Sequence, residues 1–372
     1  LSIRDARPDE LEDWDAQTVE PPGGHIYQSR AWAEDQRAAG WQPRFLVADD
    51  GGRVLALLRS WPLIGGGSAY ITRGPVPTGV GTGELAARLI AIGDALAADG
   101  VDVVAADPEV PDADTAYRSE IEAAGFHAIE EIQPSRHRIS LPLGPEADET
   151  AVFDGISKST RQRIRGAEKA AVVVVRHDAR LEAAGHPPGV GEGFATPSEP
   201  AAAALDRFYD LLLETGERLH FSFGPREAFV GWWRAALAAG HLVYLEARAD
   251  DAGGDPLGGL ILYRHGGRLS TVHSGDHAAS RTSHPGALHL LRWRAIQLAI
   301  RERCSEMDLG GVDVPEARSE PHEGDPLYGL YQHKQSFGGR WLELTGAHER
   351  VYDARGYQAG RLASRIGRLV TP

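Results

Sequence analysis

A chain of 372 residues, 42% hydrophobic and 25% charged, has the composition of a folded globular protein too long for one ordinary core, so two domains are expected. Its net charge of -14 excludes non-specific nucleic-acid binding over the whole surface, and a lone cysteine, Cys304, excludes an intrachain disulfide and any multi-cysteine metal site. No run approaches the roughly 18 consecutive apolar residues of a membrane span. The acidic opening LSIRDARPDELEDWDAQ also lacks the basic and then apolar pattern of an export signal, so no integral membrane segment and a cytoplasmic location are expected.

In chain order, apolar spacing and turn residues predict a helix over His25–Ala39, strands over Pro43–Asp49 and Arg53–Trp61 joined at Asp50-Gly51-Gly52, and a strand over Ser68–Thr72. An amphipathic helix follows over Gly83–Asp99, then a short apolar strand over Val101–Ala106, a helix over Asp112–Ala124 and a strand over His137–Leu141. Pro142–Glu149 reads as a linker. Beyond it come a helix over Ile156–Ala170, a β-branched strand over Val172–Arg176 and a Gly-, Ala- and Pro-rich loop over Glu182–Pro200. Helices over Leu205–Leu219 and Pro225–Ala239 precede a meander of strands over His241–Ala249, Leu257–His265 and Arg268–Ser274. The helix Gly286–Arg303, whose apolar pattern runs on to Cys304, and the strand Glu306–Leu309 complete a second half whose order repeats the first. The fold class is therefore α/β, of the α+β kind with mixed sheets.

Lysine usage singles out three positions. Of 39 basic residues only Lys158, Lys169 and Lys334 are lysine, so they are the places to look for a compact point charge that arginine does not supply. Lys158, Arg161, Arg165 and Lys169 recur at spacings of three and four and share one helix face, a stripe that suits either a phosphate backbone or acidic neighbours.

The ordered set Tyr27-Gln28-Ser29 with Trp32, Arg73-Gly74-Pro75, Asp107-Pro108, Lys158 through Lys169, Asp308-Leu309-Gly310-Gly311 and YGLYQHKQSFGG at 328–339 resembles the Fem family, the FemABX peptidyltransferases, over nearly the whole chain. With no long charged heptad segment for a helical arm, the chain is similar to the compact members. The resemblance implies two tandem GNAT-like acyltransferase domains with a cleft between them, 1–145 and 146–344, with the tail 345–372 returning to the first. It implies transfer of an aminoacyl group from aminoacyl-tRNA, the co-substrate, to an amine of a peptidoglycan precursor, with no metal or redox cofactor.

Residue by residue, the same resemblance implies that Lys334 holds the developing oxyanion or the terminal phosphate of the acyl-tRNA. His333 stands where the family has an aromatic ring, keeping a flat ring while adding a titratable group. Asp107, at a strand end before Pro108, is implied to contact the acceptor amine as base or as electrostatic anchor; the residues alone equally allow a turn-forming aspartate. Arg218 matches a diphosphate-binding arginine, and Gln36 stands where a second phosphate-binding basic residue is usual. That departure favours an acceptor other than a nucleotide-linked one. Arg73 is placed with the substrate, His273 is a candidate to position the acyl carbonyl, and the stripe Lys158, Arg161, Arg165 and Lys169 is implied to contact tRNA.

Three other readings stay open. They are an aminoacyl-tRNA-dependent ligase acting on a small molecule or secondary-metabolite peptide, a CoA-dependent N-acyltransferase, and a silent tRNA- or precursor-binding protein. A CoA enzyme needs a pyrophosphate loop opening a helix, and the nearest candidate, Arg37–Gln42, has Trp41 and Gln42 where a small residue belongs.

Overall fold

The computed structural model of the chain describes residues 1–77, 79–133, 136–183, 193–219, 222–250, 255–312 and 319–370. Two compact units divide it, Leu1–His137 with Leu342–Pro372, and Arg138–Trp341. The strands in chain order are β1 (Ile3–Asp5), β2 (Gln42–Ala48), β3 (Arg53–Ser60), β4 (Gly67–Ile71), β5 (Val103–Ala106), β6 (His127–Ala128) and β7 (His137–Pro142). They continue as β8 (Val173–His177), β9 (Leu242–Arg248), β10 (Gly258–His265), β11 (Arg268–Asp276), β12 (Glu306–Asp308), β13 (Arg340–Glu343) and β14 (His348–Val351).

These strands build two seven-stranded mixed sheets, ordered β1-β2-β3-β4-β5-β14-β6 and β13-β7-β12-β11-β10-β9-β8. Each contains an antiparallel meander, β2-β3-β4 or β9-β10-β11, whose last strand pairs in parallel with the next one, β4 with β5 and β11 with β12. A parallel neighbour cannot be reached through a hairpin, so a crossover helix intervenes, Thr82–Ala98 in one unit and Ala287–Arg301 in the other. The first buries Leu85, Leu89, Ile92 and Leu96, one stripe at spacings of three and four. The second buries Ala287, Leu290, Leu291, Ala295 and Leu298 over the sheet. Each parallel strand then takes an antiparallel neighbour from a remote stretch of chain: β14 beside β5, β7 beside β12. The alternation of strands and helices in both halves of the sequence thus does produce mixed α/β architecture.

Several elements depart from the sequence expectation. The helix expected over His25–Ala39 is broken: Ile26–Gln28 form a 3-10 turn, Ser29 is extended, and the α-helix is Arg30–Ala38. Ser29 Oγ accepts the Trp32 N–H at 3.0 Å and caps that helix. The break lets Gln28 enter the sheet, where its Oε1 accepts the Leu55 N–H at 2.8 Å and its Nε2 donates to Thr72 O at 2.8 Å. Three buried hydrogen bonds, with that of Nε2 to Leu55 O, outweigh one lost helical turn. The linker read over Pro142–Glu149 runs into a helix, Glu149–Gly155, which Asp148 caps by accepting the N–H groups of Thr150 and Ala151. Of the Gly-rich loop over Glu182–Pro200, residues 184–192 lie outside the described residues, and Ala179–Ala183 are helical. Arg303, at φ +55°, follows the crossover helix, so Cys304 lies just past its end, buried. Among the described residues no helix is long and apolar enough to cross a membrane.

Candidate functional site

Parallel strands direct their carboxyl ends to the same side, and α/β sites gather where such strands separate. In the second unit β12 stops at Asp308 while β11 continues to Asp276, leaving the turn Leu309-Gly310-Gly311 at the divergence. Asp308 Oδ1 accepts the Gly310 N–H at 2.7 Å and folds the turn. Gly310 has φ +77°, and a Cβ there would lie 2.6 Å from Thr271 O and 3.1 Å from Lys334 Nζ. Gly310→Ala is therefore expected to cost about 1–3 kcal/mol of stability, read from the denaturant midpoint, and to displace the lysine.

Lys334 reaches this turn from the helix Tyr328–Gln335. It is 6% exposed, and its Nζ donates to the Gly311 carbonyl at 2.6 Å. The helix end is fixed from three sides. Ser157 N–H donates to Ser336 O at 2.9 Å, and the Thr160 hydroxyl bonds Ser336 Oγ at 2.8 Å, tying it to the helix Lys158–Lys169. Phe337 is buried in the core, and Gly339 passes so close to β7 that a Cβ would meet Ile139 Cγ2 at 2.5 Å. The FGG of the motif thus anchors the lysine.

Two residues not singled out in the sequence complete the surroundings, His289 and Arg292 on the crossover helix Ala287–Arg301. His289 meets His333 edge to face at 4.6 Å between ring centroids, and His333 lies 5.4 Å from Phe337. Burial first, then Arg292, His289 and Lys334, hold His333 far below the ordinary imidazole range, at about 2. His289 is lowered to about 4, again chiefly by burial. The titratable group expected at His333 is therefore a neutral ring at pH 7, because desolvation and neighbouring cations oppose its protonation. Arg292 is 4% exposed, and its Nη1 makes two long contacts of 3.4 Å, to Thr271 Oγ1 and Leu309 O. Its signal was present in the sequence: a charge on the face of ALHLLRWRAIQLAIR that otherwise carries apolar residues.

The first unit has its own centre at the equivalent place. β5 ends at Ala106, and Asp107 follows it, 1% exposed, beside the end of β4. The Tyr70 hydroxyl donates to Asp107 Oδ2 at 2.8 Å, the Arg73 N–H donates to Oδ1 at 2.6 Å, and the Arg73 guanidinium stands 3.8 Å from Oδ2. Burial pushes the Asp107 carboxyl up to about 6, against the opposing pull of Arg73 and Tyr70. A carboxyl poised there can exchange a proton near neutral pH. Arg73 is expected to lie with the substrate; its backbone, at φ +48°, and its side chain both serve Asp107.

The remaining candidates do not join these centres. His273 shares the parity of Leu269 and Thr271 in sequence, but a bulge at Val272 turns it to the other face of the sheet, opposite Ile261 and among Phe229, Trp233 and Phe223. Burial lowers it to about 4. Arg218 donates to Asp276 through Nη2 to Oδ1 at 2.7 Å and Nη1 to O at 3.2 Å, and Arg281 holds the same carboxylate. Gln36, on the helix Arg30–Ala38, donates to Asp35 Oδ2 at 3.0 Å. On Lys158–Lys169 the charged stripe faces outward, opposite the buried Thr160, Ile164 and Ala167. Arg161 bonds Asp154 Oδ1 at 3.1 Å and Arg165 lies over the Phe153 ring at 5.2 Å, whereas Lys158 and Lys169 are exposed.

The family model for the acetyltransferase (GNAT) domain matches residues 157–334, a span that ends on Lys334. Among solved structures, a crystal structure of FemX superposes with a TM-score of 0.76 at 18% identity, covering 96% of this chain and 99% of that one. The protein has a FemX-like GNAT fold. Similar over almost the full length are a conserved protein of unknown function from Bacteroides thetaiotaomicron, with TM-score 0.54, 12% identity and coverage of 93% and 98%, and L-PGS from Bacillus licheniformis, with 0.51, 10% and 98% of each chain. No curated protein matches. The GNAT-type domain and the FemX-like fold support an acyltransferase. At such identities the likeness concerns the fold, and the substrate has to be argued from the side chains.

Proposed function

We propose that this FemX-like protein transfers the aminoacyl group of an aminoacyl-tRNA to an amine of a peptidoglycan precursor, forming a peptide bond in the cytoplasm. The observation that carries the reading is the buried ammonium of Lys334, held at the turn Gly310–Gly311 where β11 and β12 part. The acceptor nitrogen attacks the ester carbonyl carbon. Lys334 offsets the charge that develops on the carbonyl oxygen, the bond to the tRNA ribose oxygen breaks, and the proton the amine loses balances the one the departing ribose oxygen gains to become a hydroxyl. Asp107 acts toward the acceptor amine as base or anchor, and Lys158, Arg161, Arg165 and Lys169 meet the tRNA backbone. The chemistry uses no metal and no redox cofactor.

A small-molecule acceptor is the second reading. It is favoured by two observations: Gln36 carries no charge, and Arg218 is already paired with Asp276, so neither offers a free clamp for a diphosphate. Incubating the protein with charged tRNA and candidate amines, and following the aminoacyl ester, tests both. Loss of the ester that depends on the amine is expected. Consumption of CoA thioesters with charged tRNA untouched would overturn the proposal.

A further inference from the structure

A guanidinium removed from water is costly unless a carboxylate or several hydrogen bonds take the place of hydration. Four other buried arginines of this protein obey that rule with a carboxylate in direct contact. Arg88 has Asp50 at 2.8 Å, Arg176 has Asp178 at 2.6 Å, Arg248 has Glu246 at 2.6 Å, and Arg264 has Glu302 at 2.6 Å and Asp178 at 2.7 Å. Arg292 is as buried as these, and among the described residues the carboxylate that acts on it, Asp308, does so without a direct ion pair and does not offset its burial. Its Nε is buried without any hydrogen bond, and its Nη1 makes only the two 3.4 Å contacts to neutral oxygens. Both of those oxygens, Thr271 Oγ1 and Leu309 O, lie at the edge of the Gly310 turn, so the Nη1 end of the guanidinium sits where Lys334 also arrives. The rings of His289 and His333, packed together at 4.6 Å, lie beside it, each carrying one N–H donor when neutral.

We infer that Arg292, flanked by His289 and His333, receives a single anionic oxygen group of the ligand that enters beside Lys334, a carboxylate or a phosphate. The guanidinium fork matches either group in two parallel hydrogen bonds and would recover on binding the solvation it lacks in the free protein. This deepens the proposed function by naming a feature of its substrate and rests on that reading for the identity of the molecule that carries the anion. The anion site itself is testable without tRNA.

The experiment is thermal unfolding of the wild-type protein and of Arg292→Met in inorganic phosphate, acetate or chloride at matched ionic strength. A wild-type midpoint that climbs saturably with phosphate, with acetate or with both, and not with chloride, is expected, since a ligand of the native state stabilises by mass action. A response to phosphate alone assigns the phosphate of a nucleic-acid or precursor backbone, and a response to acetate alone assigns a substrate carboxylate. Arg292→Met keeps the apolar stem, and is expected to lose the anion response while unfolding in chloride at the wild-type temperature or above. A wild-type protein that does not distinguish the anions would overturn the inference, as would a variant that responds like wild type. So would a variant that unfolds many degrees lower in chloride, the mark of a structural arginine. The aminoacyl-ester assay can fail with the anion response intact, so the two proposals fall separately.

Discussion

Lys334→Ala is expected to lower aminoacyl transfer by about 10²–10³-fold, the usual cost of removing one preorganised donor from a developing oxyanion. Its effect on folding should be smaller. The charged hydrogen bond from Lys334 to Gly311 O is worth about 1.5–3 kcal/mol, and the alanine leaves the anchors of the helix, Ser336 and Phe337, in place. Single-turnover rates with charged tRNA and thermal unfolding of the same preparations separate the two. Lys334→Arg should not restore the rate. A planar fork is wider than an ammonium, and the space is bounded by the Gly310 backbone and the Gly311 carbonyl. Parallel losses of rate and stability would reduce Lys334 to a structural residue.

Asp107→Asn carries the second large effect, on both rate and pH dependence. Burial raises the folded carboxyl from an ordinary 3.8 to about 6, so between those values the native state holds a proton that the unfolded chain has released. Stability from this group is therefore fully present below about pH 4 and is lost as pH rises through about 6, a change of about 3 kcal/mol. Asparagine removes the titration while its side-chain oxygen can still accept the Arg73 N–H. Denaturant unfolding from pH 4 to 8 should show the wild-type slope and a flatter variant, with the variant gaining relative stability above pH 6. If Asp107 takes the proton of the acceptor amine, transfer falls by about 10²–10⁴-fold and the limb of the pH–rate profile near pH 6 disappears. A variant with unaltered slope and rate would leave Asp107 as a turn residue before Pro108.

Much of the architecture could be read from local pattern. The apolar run at Val103–Ala106, the stripe of Leu85, Leu89, Ile92 and Leu96, and the meander from Leu242 to Asp276 each follow from side-chain spacing over a few residues. The rarity of lysine pointed to Lys334 before any contact was visible, because composition exposes an exception without knowledge of the fold. The helix expected over His25–Ala39 was misread for a complementary reason: its residues are compatible with a helix, and the competing bonds of Gln28 run to Leu55 and Thr72, far along the chain.

Element type and the rarity of lysine were determined by the sequence alone, since periodicity and composition are properties of neighbouring residues. Tertiary structure decided which side chains meet. One bulge at Val272 reverses the face on which His273 lies, and no residue pattern announces it. Arg218 is engaged by a carboxylate 58 residues away, the helix carrying Arg292 buries that guanidinium near Asp308 with no direct ion pair among the described residues, and β14 enters the first sheet beside β5 from the far end of the chain. Burial and pairing depend on register counts and on contacts between distant segments, so the charge state of His333, Asp107 and Arg292 emerges only when the sheets and their crossover helices have packed.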